Sequence, residues 1–515
     1  MTFLVRLVVL TSVFGQTASA TTTVNIPGLG IIVGNVRPGC NEFLGIKYAT
    51  AARFEEPQPV IPWPNPYLAT SRGPMCYQNC PEIPLLLCQD EVSEDCLFLN
   101  IFTPTGHPTG RCVMVFVHGG DYTSYSGGSP LFDGEAFVQK GGCILVTINY
   151  RLAAFGFLGS RNLGLKDQIK ALQWIHANIQ YFGGDRTEMT VFGQSAGAQS
   201  IALLMSVPSA SQYFNRVILQ SCPFTLPFRT AAQGESQEAQ LATLIGCTVG
   251  NLTCYREADA DDILKLQQEV ELPDAPFLLP FEFWGPVIDK GLVMDHLYNI
   301  FSRGLHKKMD TIIGTVQDEA MGYVYSMSQS PLSTRELLDL LHKISPILSL
   351  ELLSLVYDVD GDDDKRYVLA EIGTDYLFRC VGQSVAKRMS RDAVVYSYVF
   401  DQKFPYNIWG DGNICNDYVC HGVELPTVFG TFGLGNYTVP HEQMSLSDDV
   451  IQYWNNFARD GSPWSEDSSL RTWTSFKTRQ QKFLLLKAGS TYMKSDPAVS
   501  LKCSILEQFL GFNPR

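Results

Sequence analysis

The 515-residue chain is ordinary in composition for a globular protein, 45% hydrophobic and 17% charged, and long enough to bury a large core. Its 38 basic residues against 52 acidic ones give a net charge of -14, which argues against a nucleic-acid partner and favours neutral or cationic small molecules. Fourteen cysteines, an even number, fit an oxidising compartment and a disulfide framework whose connectivity spacing does not fix.

Residues 1–20 read as a secretory signal. Arg6 supplies positive charge, residues 7–14 are mostly apolar, and Ala18-Ser19-Ala20 has the A-x-A form of a cleavage site. Residues 21–515 show no internal repeat and no clear linker, so they read as one domain with large insertions. Residues 24–35 alternate strand-formers around Pro27-Gly28 and Gly30, which predicts a hairpin. Residues 43–59, followed by a proline-rich stretch, read as loop. Residues 94–102, 113–117 and 144–148 are strands, and 165–181 is a helix with apolar Ile169, Leu172, Ile175 and Ile179 on one face. A strand at 189–192 and a helix at 201–205 follow, then a strand at 217–220, a polar helical stretch at 233–271 and a short strand at 311–314. Residues 337–357 are apolar, but Asp339, His342, Lys343 and Glu351 interrupt them, so they read as helices packed on a core. The acidic run 358–364 has its glycine in the wrong place for a calcium loop and reads as solvated loop. A strand at 393–400, a loop at 407–420 and helices at 449–460 and 500–510 complete the chain. No stretch reads as a membrane anchor. Asn251-Leu-Thr253 and Asn436-Tyr-Thr438 are glycosylation sequons, consistent with export. Strands alternating with helices predict a large, mainly parallel sheet covered on both faces.

Gly193-Gln194-Ser195-Ala196-Gly197 reads G-x-S-x-G between a predicted strand and a predicted helix. That context makes Ser195 a nucleophile at a strained strand-to-helix turn, with the Ala196 N–H aimed at a developing oxyanion. Serine chemistry on an ester also needs a base and a group that orients it. The histidines after Ser195 are His296, His306, His342, His421 and His441. His421, at a loop tip before a helix, is placed more as a mobile base than as a core histidine, and the other histidines stay open on local evidence. Asp318 and Glu319 both follow the 311–314 strand and are equal candidates for the acid on chemistry alone.

Longer blocks separate them. FGGDRTEMTVFGQSAG and EDCLFLNIFTP resemble the two signatures of the type-B carboxylesterase and cholinesterase family, the second with Phe98 where tyrosine or threonine is usual. VFVHGG, INYRLAAFGFL, GLKDQ, ALQWI and PVID resemble further family blocks in family order, and the secreted fungal carboxylesterases look like the nearest branch. The resemblance implies an α/β-hydrolase fold with a large mixed, mostly parallel sheet, helices on both faces and long insertions. It implies a Ser-Glu-His triad and no cofactor or metal. GTVQDEAMGY resembles the acid block and selects Glu319; CHGVELPTVFG resembles the histidine block and selects His421. The family's oxyanion donors map to the N–H groups of Gly120, Asp121 and Ala196. The same resemblance implies disulfides Cys76–Cys96, Cys247–Cys254 and Cys380–Cys503; Cys80–Cys88 and Cys415–Cys420 are expected from proximity alone.

Besides Phe98, two positions at the expected site depart from the pattern. Asp121 stands where the family usually has a third glycine. A carboxylate about 5 Å from a forming oxyanion costs about 3 kcal/mol at an effective dielectric of 20, roughly two orders of magnitude in rate. Asp121 must therefore point away, be protonated, slow the enzyme on ordinary esters, or orient a water against the acyl- or phosphyl-enzyme. Gln194 replaces the glutamate common before the serine, and the 76–96 loop offers only Tyr77 as an aromatic platform for a cation. The expected activity is a secreted serine esterase acting on neutral small-molecule esters. The alternatives are a catalytically weak recognition domain and a scavenger of organophosphate-type esters. Residues 277–284 and 224–228 are expected to line the acyl and alcohol pockets.

Overall fold

A computed structural model describes residues 20–509 and 512, apart from 81–86, 90, 107, 346–348, 360–362, 405–413, 435–437 and 467. The leader up to residue 19, the sequon at Asn436 and part of the acidic run therefore lie outside the described residues.

The main strands are β1 (Thr21–Ile26), β2 (Gly30–Val36), β3 (Cys40–Lys47), β4 (Phe98–Pro104), β5 (Arg111–Val117), β6 (Ile144–Ile148), β7 (Gly184–Gln194), β8 (Arg216–Gln220), β9 (Asp310–Val316), β10 (Val395–Phe400), β11 (Phe483–Leu486) and β12 (Tyr492–Lys494). They form one sheet in the order β1-β2-β3-β4-β6-β5-β7-β8-β9-β10-β11-β12, with the short strand Tyr67–Leu68 added on β2. From β6 to β11 in that order every pairing is parallel. The two ends of the sheet are antiparallel.

The central strands are continuous apolar runs because both their faces are buried. In β5, Val113, Val115 and Val117 face one core, while Met114 and Phe116 face the other. Val191 and Phe192 in β7 divide in the same way, as do Ile313 and Ile312 in β9. Helices α1 (Leu163–Asn178) and α2 (Ala196–Leu204) bury Leu172, Ile175, Ile201 and Leu203 in the first core. Three helices, α3 (Met321–Met327), α4 (Thr334–Ile344) and α5 (Arg366–Thr374), stand beyond the C-terminal end of β9. Helix α6 (His441–Asp460) covers the other face with Val450, Trp454 and Phe457. This is the sheet, covered on both sides, that the resemblance implies.

Residues 43–47 are strand, not the loop that their composition predicts. Phe43, Leu44 and Ile46 are buried, and Gly45 at φ +64° marks a register shift between Phe43 and Ile46. A glycine inside a strand often signals such a bulge rather than a break. The five disulfides expected from resemblance or proximity are formed. A sixth, Cys112–Cys143, ties the start of β5 to the residue before β6. Cys40 and Cys222 are buried thiols.

Candidate active site

Ser195 sits between β7 and α2 at φ 58° and ψ -127°, a conformation costly for a residue with a β-carbon. Its N–H donates to the Gln220 carbonyl at 3.0 Å, and its carbonyl accepts from Gln199 N–H at 2.9 Å, which fixes the turn on both sides. The flanking glycines are required by packing. A β-carbon at Gly197 would lie 2.0 Å from the Val117 carbonyl oxygen, and one at Gly193 would lie 2.6 Å from the same atom. The elbow is thus pressed against the end of β5, and any side chain at either position would lift it off the sheet.

The residues expected as acid and base come from two segments held together by Asp318. Asp318 N–H donates to the Val419 carbonyl at 3.0 Å, and Val419 N–H donates back to Asp318 Oδ2 at 2.9 Å. That clamp, with the adjacent Cys415–Cys420 disulfide, brings His421 to the end of β9. Glu319, rather than Asp318, reaches the imidazole, with His421 Nδ1 2.6 Å from Glu319 Oε2. The other oxygen, Oε1, accepts from Val316 N–H at 2.8 Å, so each oxygen of this fully buried carboxylate has a partner. Burial alone would lower the His421 pKa; the charge of Glu319 and its hydrogen bond outweigh it and raise the pKa above its ordinary value.

On the far side of the ring, His421 Nε2 lies 3.0 Å from the Gln194 carboxamide nitrogen. The residue before Ser195 therefore occupies the imidazole position that a serine hydroxyl would use. Rings of Phe378 and Tyr323 pack against the imidazole, with centroids 5.1 and 5.6 Å away. Phe378 lies on a π-helical turn (Asp375–Arg379) that follows α5, and Thr225 Oγ1 donates to the Tyr376 carbonyl of that turn at 3.0 Å. One turn beyond His421, buried Glu424 accepts from Gln220 Nε2 at 3.2 Å. Burial, reinforced by the charge of Glu319, pushes its pKa up to about 7.

The turn expected to hold the oxyanion follows β5. Gly120 has φ +101°, Asp121 φ +53° and Tyr122 φ +59°. The Gly120 carbonyl is tied back, accepting from Thr123 N–H at 2.8 Å and Ser124 N–H at 3.0 Å. Because the peptide is trans, the Asp121 N–H projects to the opposite side. His118, at the base of this turn, stacks on Tyr150 and is buried, which pushes its pKa down to about 4 and keeps it neutral.

Gly120, Asp121, Gln194, Ser195, Glu319 and His421 line one cavity of about 500 Å³. A narrower inner pocket of about 90 Å³ opens from the same Ser195 and Asp121. Its walls are apolar side chains of the 277–282 segment, α3, α4, α5 and the π-helical turn, among them Phe277, Phe281, Val324, Leu341 and Phe378. Of the 224–228 stretch, Leu226 reaches this pocket, whereas Phe224 packs on Phe301 and Phe228 on His296 in the core. Trp284 turns to Arg229 instead of the pocket. Tyr77 bonds Asp261 and packs on Phe155, away from Ser195. Sequence reading missed Glu282, Glu424 and the α4–α5 wall. A carboxylate inside the aromatic run 277–284 was the available signal for the first; the wall, built from ordinary amphipathic helices, gave none.

The model of the carboxylesterase family matches residues 20–502. The chain is 32% identical over 473 residues to the cAMP-regulated D2 protein of Dictyostelium discoideum, covering 89% of this chain and 88% of that one. It is 31% identical to the para-nitrobenzyl esterase of Bacillus subtilis, covering 91% and 95% of the two chains. It is 30% identical to the cholinesterase of Mus musculus, covering 88% and 80%.

Proposed function

Because the chain belongs to the carboxylesterase family, and so to the carboxylic ester hydrolases, we propose that Ser195, His421 and Glu319 carry the reaction through an acyl-enzyme on small-molecule esters. The buried 2.6 Å contact between His421 and Glu319, at a cavity that Ser195 also lines, is the observation that supports this most directly.

In this reading the Gln194 carboxamide swings off His421 Nε2 as substrate enters, and the Ser195 hydroxyl takes its place. Ser195 attacks the ester carbonyl and His421 removes its proton. Glu319 stabilises the imidazolium, which then gives the proton to the leaving alkoxide. The oxyanion is held by the N–H groups of Gly120, Asp121 and Ala196, the last at the N-terminus of α2. Water repeats the sequence on the acyl-enzyme. The alcohol leaves through the outer cavity beside His421, and the acyl chain occupies the apolar inner pocket. Among the described residues no tryptophan lines either cavity, so a preference for quaternary ammonium esters is not expected.

Residues 1–20 act as a cleaved leader and residues 21–515 as one exported domain, glycosylated at Asn251 and Asn436. The six disulfides support an oxidising destination. Among the described residues, no helix is long and apolar enough to cross a membrane. A fluorophosphonate probe tests the reading. Wild type is labelled at Ser195 and Ser195→Ala is not; equal labelling of both, or of neither, refutes it.

A further inference from the structure

The inner pocket holds a polar feature that ester hydrolysis does not use. Its lining residues are apolar except for Ser195, Tyr323, Tyr376 and two acidic residues, Asp121 and Glu282. Glu282 is 3% exposed, and neither of its carboxyl oxygens has a hydrogen-bond partner. Its polar neighbour Gln199 directs Nε2 to the Pro223 carbonyl at 3.0 Å instead. Asp121 faces the same space from the oxyanion turn. Among the described residues, no Lys or Arg lines this pocket. Burying a carboxyl without a partner is costly, and burying two side by side costs more. Burial holds both pKa values up; at Glu282 the charge of Asp121 adds to the rise and the nearby Gln199 carboxamide opposes it. A pocket for purely hydrocarbon acyl chains has no need of either group.

We propose that Asp121 and Glu282 form a subsite for a primary ammonium group, so that the preferred esters carry an amine on a short acyl arm. This deepens the hydrolase reading and rests on it for the identity of the reacting ester. The geometry gives three reasons. An ammonium offers three N–H donors to carboxyl oxygens that have none, which a quaternary ammonium cannot do. The rings of Phe281 and Tyr323 flank the pocket and favour a cation over a neutral group. A cation beside Asp121 also cancels the carboxylate that would otherwise repel the forming oxyanion, so the gain falls on the chemical step as well as on binding. The net charge of -14 favours the approach of such a substrate. Sequence reading expected neutral substrates from positions 77 and 194; the two carboxyls place the cation site elsewhere, on the acyl side of Ser195.

The test compares 4-nitrophenyl esters of β-alanine and of butanoic acid, which differ only in an ammonium for a methyl, each corrected for its reactivity with hydroxide. The expected kcat/KM ratio favours the ammonium ester at least tenfold in wild type, and it falls at least tenfold in both Glu282→Gln and Asp121→Asn. The ester of N,N,N-trimethyl-β-alanine gains no such preference. Independently of turnover, calorimetry with n-butylammonium should show binding with release of about one proton, seen by comparing two buffers of different ionisation enthalpy. Binding should be lost in Glu282→Gln, and 1-butanol should not reproduce it. A wild-type ratio near one, or a ratio unchanged in both variants, overturns the subsite while leaving the hydrolase intact. Glu282-dependent binding of n-butylammonium without turnover of either ester supports the subsite and counts against the hydrolase.

Discussion

Glu319→Gln is the substitution whose effect the structure constrains most tightly. The native carboxylate accepts two hydrogen bonds, from Val316 N–H at 2.8 Å and from His421 Nδ1 at 2.6 Å, with no exposure to water. A carboxamide has a single acceptor oxygen. If that oxygen stays on Val316, the new NH₂ faces Nδ1 and the imidazole must move its proton to Nε2, where it can no longer receive one from Ser195. If it turns to His421 instead, Val316 N–H is left buried and unpaired at about 1–3 kcal/mol. Loss of the charge removes about 4 kcal/mol of imidazolium stabilisation at ~4 Å and an effective dielectric of 20, nearly three orders of magnitude in rate. The tautomer penalty adds to this; the equivalent change in a chymotrypsin-type triad costs about 10⁴ in kcat. A loss of about 10³- to 10⁴-fold in kcat/KM on 4-nitrophenyl butanoate is therefore expected, with a folded protein by circular dichroism. The pH profile gives a second readout. His421 must be neutral to act, and Glu319 holds its pKa above 6.5, so activity falls as pH drops through that raised value. In Glu319→Gln the residual activity should persist to lower pH. A loss below tenfold, or an acid limb that does not move, would refute the reasoning.

Glu424→Gln tests a second buried carboxyl. Its pKa rises from 4.5 to about 7 on folding, so its stabilising contribution is full below pH 4.5 and is lost as pH climbs through about 7. The variant should gain up to about 3 kcal/mol on wild type between about pH 5 and pH 8 in urea midpoints; an equal gap at both pH values would count against it. Opening Cys112–Cys143 with alanines frees a loop with a sequence separation of 31 and should cost roughly 3–4 kcal/mol in the same assay. A midpoint within error of wild type would show that β5 and β6 need no tether. Gln194→Ala removes the group on His421 Nε2 and should speed fluorophosphonate labelling of Ser195 about two- to tenfold, the equivalent of one hydrogen bond. Slower labelling would mean that Gln194 organises the site rather than competes with Ser195.

Legibility in the sequence followed burial. The parallel strands could be read because both faces are covered, so 144–148 appears unbroken as β6. The antiparallel margin was harder, since Gly45 bends β3 and imitates a loop. Ser195 could be read because packing demands two glycines around it. Chemistry left Asp318 and Glu319 equal, and only position distinguishes them: one ties the histidine loop at Val419 and the other contacts the ring. The pocket wall was illegible because Leu341 and Ile372 look like any core residue of an amphipathic helix. Cys112–Cys143 was illegible because it depends on how β5 and β6 lie side by side in the sheet.

Asp121 and Gln194, the two site positions at which the sequence differs from the blocks it resembles, lie on opposite sides of Ser195. Among the described residues, the carboxyls of Asp121, Glu282 and Glu319 line the cavities that Ser195 and His421 also line, and Glu424 is buried one turn beyond His421. Glu319 and Glu424 lie on the histidine side, where negative charge stabilises the imidazolium as it forms. Asp121 and Glu282 lie on the oxyanion side, where negative charge opposes the reaction. A glutamate at 194 would have put a further charge between the two groups. The carboxamide instead keeps the boundary neutral and holds Nε2 in the resting enzyme. Charge on the oxyanion side then has two ways to stop being a liability: to stay protonated, or to be met by a cation. The first suffices for a neutral ester. The second makes the substrate itself complete the site, because the ammonium that satisfies Glu282 also removes the repulsion that Asp121 would impose on the transition state.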